Sequence, residues 1–357
     1  MENVNFLVNR NDIHDTTVKS ATTKPLAAGD VLLAIDHFAF TANNITYAAF
    51  GDAMKYWDFF PAQEGWGCVP VWGFADVIES KCDGVAVGER FYGYYPMASH
   101  LRVTPAKLSK SGFIDSSPHR RHLSTVYNNY QNVANDPGYN PKIEDLQMLF
   151  QPLFMTSFLI DDFLEENDFF GAQQVILSSA SSKTAYGLAF MLSRRPDIKV
   201  IGLTSPSNVA FTESLGFYDQ VITYDDISAL DTDIPATYVD MAGSGDVRAS
   251  VHVAFADNLT YSCSVGASHW DKLTSNTGLP GAKPTMFFAP DRVQQRTKDW
   301  GPAGVQQRSA KAWQGFIARA GSLIGVVHET GTDAMGSVYS DTLNGKADPK
   351  NGYILSF

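Results

Sequence analysis

The sequence predicts an α/β protein in which a doubly wound parallel sheet follows a barrel-like β domain. From residue 173 onward, short apolar runs alternate with stretches of helical periodicity, the pattern of strand–helix–strand crossovers. Before residue 110, short strand-like runs are separated by glycine turns with no helical period between them. At 357 residues the chain is long enough for two hydrophobic cores.

Taken in order, Val31 to Phe40 is an apolar strand run that follows the turn signal Ala28-Gly29-Asp30. Val69 to Glu79 is a second run, and Val87 to Tyr94 reads as a turn followed by a strand. Between Tyr47 and Trp72 lies an aromatic cluster that includes Tyr47, Tyr56, Phe59 and Phe60. Its spacing fits neither helix nor strand, and Gly51, Pro61, Gly65 and Gly67 mark it as a loop. Such a loop either lines a pocket or packs down on itself. Residues 111–145 are polar and rich in breakers, which predicts an exposed insertion. The run His119-Arg120-Arg121-His122 within it reads as a solvated loop rather than an anion-binding patch. Ile143 to Leu164 reads as a helix that Pro152 breaks or kinks.

In the second half, Val175–Leu177, Val200–Leu203, Val221–Tyr224, Thr237–Met241 and Leu259–Val265 are strand-like. Thr184–Arg194, Asn208–Leu215 and Asp246–Ala256 are the helices between them. Met286–Ala289, Val305–Ala320 and Leu323–His328 follow as strand, helix and strand.

The formal charge of −11 argues against a nucleic-acid or anionic-membrane surface, since both require a basic footprint. Cys68, Cys82 and Cys263 are scattered and odd in number, so neither a disulfide framework nor a zinc knuckle is indicated. With no signal-peptide pattern and no apolar run of membrane length, the expected location is the cytoplasm.

In a parallel sheet, ligands bind beyond the carboxyl ends of the strands. After the first strand comes Ser178-Ser179-Ala180-Ser181-Ser182-Lys183-Thr184, which opens a helix. Backbone N–H groups and the positive end of a helix dipole suit a phosphate, and Ser179, Ser181, Ser182, Lys183 and Thr184 are candidate contacts. A P-loop is disfavoured because its glycines are missing. After the second strand, Thr204, Ser205, Ser207 and Asn208 stand where an acidic residue would bind the 2′-hydroxyl of NAD. Hydroxyls and an amide there favour NADP(H), with Lys183 the candidate partner of its 2′-phosphate. Gly243, Gly245 and Gly266 follow later strands and either allow close cofactor approach or simply make turns.

Several segments, in this order, resemble the zinc-free quinone and enoyl reductase branch of the medium-chain dehydrogenase/reductase superfamily. They are Ala28-Gly29-Asp30-Val31, Thr41-Ala42-Asn43-Asn44, Val69 to Glu79, Gly84 to Gly93, Ser214 to Asp219 and Asp240-Met241-Ala242-Gly243. The resemblance covers most of the chain outside residues 111–145 and points to a divergent bacterial branch. It departs in three places. Serines replace the glycine fingerprint, Thr46 stands where an aspartate is usual, and the zinc ligands are absent, with Asp36-His37-Phe38 in place of a cysteine and no four-cysteine lobe. His37 is expected to be a packed or hydrogen-bonded strand residue rather than a metal ligand.

The resemblance implies a GroES-like catalytic domain of residues 1–148 and 285–357 around a Rossmann domain of residues 149–284. It implies metal-free, NADPH-dependent reduction of a quinone, enone or carbonyl compound of apolar or aromatic character. Asn43, with Asn44 as the register alternative, matches the active-site asparagine. Tyr47 and Tyr56 are candidate proton donors whose other reading is aromatic packing. Met155, Thr156 and Ser157 match a helix segment that approaches the nicotinamide, with Thr156 the candidate cofactor contact, and Trp270 follows the Gly266 loop as a pocket wall. Homodimers built through a sheet edge are common in the family, and Leu259–Val265 or Pro284–Ala289 would supply such an edge. The other function class is a non-catalytic NADP(H)-binding sensor. Competing motifs, Tyr-x-x-x-Lys, Gly-x-Ser-x-Gly and His-Glu-x-x-His, do not occur.

Overall fold

The computed structural model describes residues 2–136, 138–265 and 278–357. The chain forms two units, Met1–Leu149 with Gly325–Phe357, and Phe150–Ile324. It begins with β1 (Glu2–Asn9), β2 (Thr16–Thr22), β3 (Val31–Phe40), α1 (Ala42–Ala49), β4 (Trp66–Gly67), β5 (Pro70–Ser80) and β6 (Arg90–Pro96). Next come β7 (His100–Val103), β8 (Pro105–Ser109), β9 (Gly112–Asp115) and β10 (Asn129–Asn132). Helix α2 (Glu144–Glu166) precedes β11 (Gln174–Leu177), α3 (Lys183–Leu192), β12 (Lys199–Thr204), α4 (Val209–Ser214), β13 (Gln220–Thr223) and β14 (Ala236–Asp240). Then follow α5 (Gly245–Phe255), β15 (Leu259–Ser264), β16 (Pro284–Met286) and α6 (Ala289–Ala320). The chain ends with β17 (Gly325–Thr330), α7 (Thr332–Leu343) and β18 (Asn351–Ser356).

In the first unit, β2-β1-β4 make a small sheet and β17-β18-β3-β5-β6-β10-β9-β8 a large one, with β7 also on β3. Gly73 sits opposite Phe38 in the β3–β5 ladder. A Cβ there would lie 2.5 Å from the His37 carbonyl oxygen, so only glycine lets these strands close up. Three sequence expectations change here. Residues 111–145 are not an exposed excursion, because β9 and β10 pair within the large sheet. Arg120 is fully buried rather than solvated. The aromatic stretch starts as helix α1, capped by a reciprocal pair: Asn43 N–H donates to Thr41 Oγ1, and Thr41 N–H donates to Asn44 Oδ1. A short helical turn, Tyr56–Phe59, follows it.

Arg120 anchors the 116–130 segment. Its Nε donates to Asn128 Oδ1 at 2.9 Å, Nη1 to the Tyr130 hydroxyl at 2.9 Å and Nη2 to the Tyr127 carbonyl at 2.8 Å. The Asp115 carboxylate lies 3.1 Å from Nη1, and the guanidinium is 4.8 Å from the Phe60 ring centre. Every face of the buried cation is used, which offsets its desolvation.

The second unit holds one parallel sheet in the order β13-β12-β11-β14-β15-β16. Every residue of β11 and β14 is buried, as expected of central strands covered on both faces. Ile176, Ile201, Leu203, Tyr238, Val251 and Phe255 fill one core. Residues 285–324 belong to this unit and not to the barrel domain where the sequence reading put them. β16 extends the sheet beside β15, and Phe316 of α6 stacks on Phe154 of α2 at 4.6 Å. Pro152 sits inside α2 without ending it. α6 does change direction, at Gly301 with φ 71° before Pro302. Among the described residues, no helix is long and apolar enough to cross a membrane.

Replacing Arg120 by Met leaves the Asp115 carboxylate buried and unpaired. The expected loss is about 3–5 kcal/mol of stability, read as a lower denaturant midpoint.

Candidate functional site

The carboxyl ends of β11 and β12 adjoin in the second unit, because these strands are paired from Gln174 opposite Lys199 to Leu177 opposite Gly202. This pairing brings together two groups of sequence-predicted residues. Asn208 Nδ2 donates to Ser181 Oγ at 3.2 Å. Ser182 caps α3, its Oγ accepting from Ala185 N–H at 3.3 Å. Lys183 and Thr184 form the first turn of α3, half-buried, so the positive end of the helix opens at the serine loop. Ser205 and Ser207 hydroxyls are 3.1 Å apart, while Thr204 is buried at the end of β12.

The serine loop keeps its path without the expected glycines. Ser179 takes the left-handed conformation, φ 48°, that a glycine would take freely. Two tyrosines hold it there. Ser179 N–H donates to the Tyr224 hydroxyl at 3.1 Å, and the Tyr218 hydroxyl donates to the Ala180 carbonyl at 2.8 Å. Gly202 makes this approach feasible, since a Cβ would lie 2.9 Å from both Ala180 Cβ and the Tyr218 ring. The sequence reading missed both tyrosines; their positions two and eight residues beyond Gly216 carry no local signal.

Ser178, at the end of β11, donates to Asp240 Oδ1 at 2.9 Å and accepts Met241 and Ala242 N–H at 3.0 Å each. Gly243 turns with φ 71° and donates its N–H to Asp240 Oδ1 at 2.9 Å. Thr156 is not drawn into this arrangement, because its hydroxyl bonds back to the Pro152 carbonyl at 3.4 Å. Its neighbour Ser157 makes the contact to α3 instead, donating to the Thr184 carbonyl at 2.8 Å. Gly266 and Trp270 lie outside the described residues.

The first unit holds the other candidates. Tyr47 and Tyr56 are buried with ring centres 4.6 Å apart. Asn43 is half-buried on α1 within hydrogen-bonding reach of the Tyr47 hydroxyl, whereas Asn44 is spent on the cap and on the Pro70 carbonyl at 2.8 Å. Around them stand Trp72 of β5, Tyr92 and Tyr94 of β6, and Tyr127 from the 116–130 segment. Tyr94 and Tyr127 are 4.7 Å apart, and Trp72 and Tyr94 5.1 Å. Burial raises the phenols of Tyr47, Tyr56, Tyr92, Tyr94 and Tyr127, and neighbouring tyrosine hydroxyls reinforce the rise for Tyr47, Tyr92, Tyr94 and Tyr127. At neutral pH the cluster is therefore a set of uncharged hydroxyls. His37 is hydrogen-bonded as expected, its Nδ1 2.6 Å from Asp36 Oδ2. Burial disfavours the Asp36 anion, but the bond to His37, the largest influence, together with Arg90 holds its carboxyl well below the usual range. Among the described residues, no three His, Cys, Asp or Glu side chains gather as metal ligands.

A family model described as "Protein of unknown function (DUF2855)" matches residues 38–348. The chain belongs to this family. No curated protein matches the DUF2855 sequence. Solved structures do match it along its length. The yhdH oxidoreductase from Salmonella enterica, in complex with NADP, is 13% identical with TM-score 0.57, covering 99% of each chain. CurA from Vibrio vulnificus, in complex with NADPH, is 12% identical with TM-score 0.63, covering 99% of this chain and 98% of that one. A mutant enoyl thioester reductase from Candida tropicalis is 14% identical with TM-score 0.57, covering 100% of both. At these identities the likeness establishes the fold alone: a Rossmann domain with a GroES-like domain.

The raised phenols carry a pH consequence. A buried phenol favours its neutral form, so the stabilisation is complete below the ordinary tyrosine range near ~10 and is lost as pH rises through the higher folded values. Phenolate absorbance and circular dichroism followed together should show the cluster ionising only as the fold is lost. Reversible ionisation near the ordinary range, with the fold intact, would contradict the burial argument.

Proposed function

We propose that this protein is an NADPH-dependent oxidoreductase that reduces a quinone, enone or other conjugated carbonyl compound without a metal ion. One observation carries the reading: the segment that follows β12, Ser205 to Asn208, contains hydroxyls and an amide and no acidic residue, and Asn208 is tied directly to Ser181 of the α3 loop. The NADP- and NADPH-bound structures with the same fold support it.

The residues present fit the cofactor. The loop path set by Ser179, the close approach at Gly202 and the helix end at Lys183 form a cradle for a pyrophosphate. The N–H groups of the first turn of α3 and the hydroxyls of Ser181, Ser182 and Thr184 would hold it. Lys183 would face the 2′-phosphate, with Thr204, Ser205, Ser207 and Asn208 around the ribose and Gly243 allowing backbone approach. When bound, the nicotinamide supplies the hydride. The chain's own part is to orient the acceptor and neutralise the charge that develops on its oxygen. Tyr47 and Tyr56, kept protonated by burial, are the proton donors, and Asn43 orients Tyr47.

Titration followed by NADPH fluorescence should give tighter binding of NADPH than of NADH. Lys183→Ala should weaken NADPH by about tenfold or more while barely changing NADH, the loss of one charge-assisted contact. An equal loss for both would remove Lys183 from the 2′-phosphate. NADPH consumption should then appear with at least one quinone or enone in a panel. Tight binding with no consumption across the panel would favour a non-catalytic sensor.

A further inference from the structure

The serine loop before α3 takes much of its shape from β12 and β13. Ser179 stands at φ 48°, a conformation that a serine keeps only when its surroundings impose it. Its N–H donates to the Tyr224 hydroxyl at 3.1 Å, and its carbonyl accepts Ser182 N–H at 2.8 Å, which closes the turn into α3. Ala180 donates its N–H to the Leu203 carbonyl at 3.0 Å, and its own carbonyl accepts from the Tyr218 hydroxyl at 2.8 Å.

Both tyrosines are themselves held. Asp219, next to Tyr218, donates its N–H to the Val200 carbonyl at 2.9 Å and accepts Val200 N–H at 2.7 Å. This reciprocal pair pins the entry to β13 against β12. Tyr224 follows Thr223, which pairs with Thr204 at the end of β12, and its ring packs on the core beneath the sheet. Hydroxyls so placed can impose on a serine the backbone path that a glycine takes unaided.

We propose that Tyr218 and Tyr224 are positioning residues for the cofactor. Their hydroxyls hold Ala180 and Ser179 in the path that presents the first turn of α3 to the pyrophosphate, and so set nucleotide affinity. The pair supplies from outside the loop what glycine supplies by its own freedom, so the effect of Tyr224 vanishes once glycine replaces Ser179. The pyrophosphate is common to NADPH and NADH, so the effect falls on both alike, whereas Lys183 discriminates between them. The proposal deepens the reductase reading and rests on it for the identity of the ligand.

The test is a double-mutant cycle on the full-length protein, read by fluorescence titration with NADPH and NADH. Tyr224→Phe should weaken both nucleotides by about tenfold, and Tyr218→Phe should do the same. In protein that carries Ser179→Gly, adding Tyr224→Phe should change either affinity by less than about twofold. A tyrosine that merely supported the fold would cost the same affinity in both backgrounds. In protein without nucleotide, the Ser179 amide should exchange slowly with solvent, and faster in Tyr224→Phe. The proposal is overturned if either phenylalanine variant binds as the wild type does, or if the Tyr224→Phe loss is undiminished in the Ser179→Gly background. Rapid exchange of the Ser179 amide in the wild type also overturns it. None of these outcomes touches the cofactor reading, which stands or falls on nucleotide binding by the wild type; binding of neither nucleotide refutes both.

Discussion

The second unit depends on one buried carboxylate. Asp240, at the end of β14, is fully buried. Its Oδ1 accepts from Ser178 Oγ and from the N–H groups of Ala242 and Gly243, and its Oδ2 accepts from Arg248 Nε and Nη2 at 2.9 and 2.8 Å. A buried charge is tolerable only when it is saturated in this way. The result ties the end of β11, the turn after β14 and helix α5 to a single point. It also explains why a serine stands at position 178 in a loop where glycines are expected. Ser178 bridges two strands, a task no glycine performs, and the adjoining Ser179 is held in its left-handed conformation by Tyr224 and the loop by Tyr218.

Arg120 plays the corresponding part in the first unit. Through Asn128, Tyr130 and the Tyr127 carbonyl it pins the 116–130 segment so that Tyr127 packs on the aromatic cluster. Tyr130 passes this order on by donating to the Tyr94 carbonyl at 2.7 Å. Asp240 and Arg120 thus solve the same problem with opposite charges. Each is a buried ion with its hydrogen-bonding capacity used, and each fixes a loop that local propensity would leave free.

Legibility in the sequence followed burial. β3, β5, β11, β12 and β14 are apolar runs buried in the sheets, so hydropathy alone marked them. β2, Thr-Thr-Val-Lys-Ser-Ala-Thr, is mostly exposed and gives no such signal. α1 was hidden because aromatic residues and nearby glycines mask its period; the Thr41–Asn44 capping pair was the available clue. Arg120 was read as solvated because its neighbours are charged, while its partners lie five to ten residues away. The meeting of Ser181 with Asn208 was legible, since parallel topology brings the ends of β11 and β12 side by side. The structural roles of Tyr218 and Tyr224 in holding the serine loop were not legible, because single-sequence reading has no access to long-range contacts.

The central claim is that the serine loop before α3 is a phosphate cradle for NADP(H). Backbone amide shifts measured by heteronuclear NMR during NADPH titration test it most directly. The account predicts that the largest saturable shifts fall on residues 179–185 and on Ser205 to Asn208. Saturable binding that leaves those amides unmoved, or that perturbs a different surface, would contradict it.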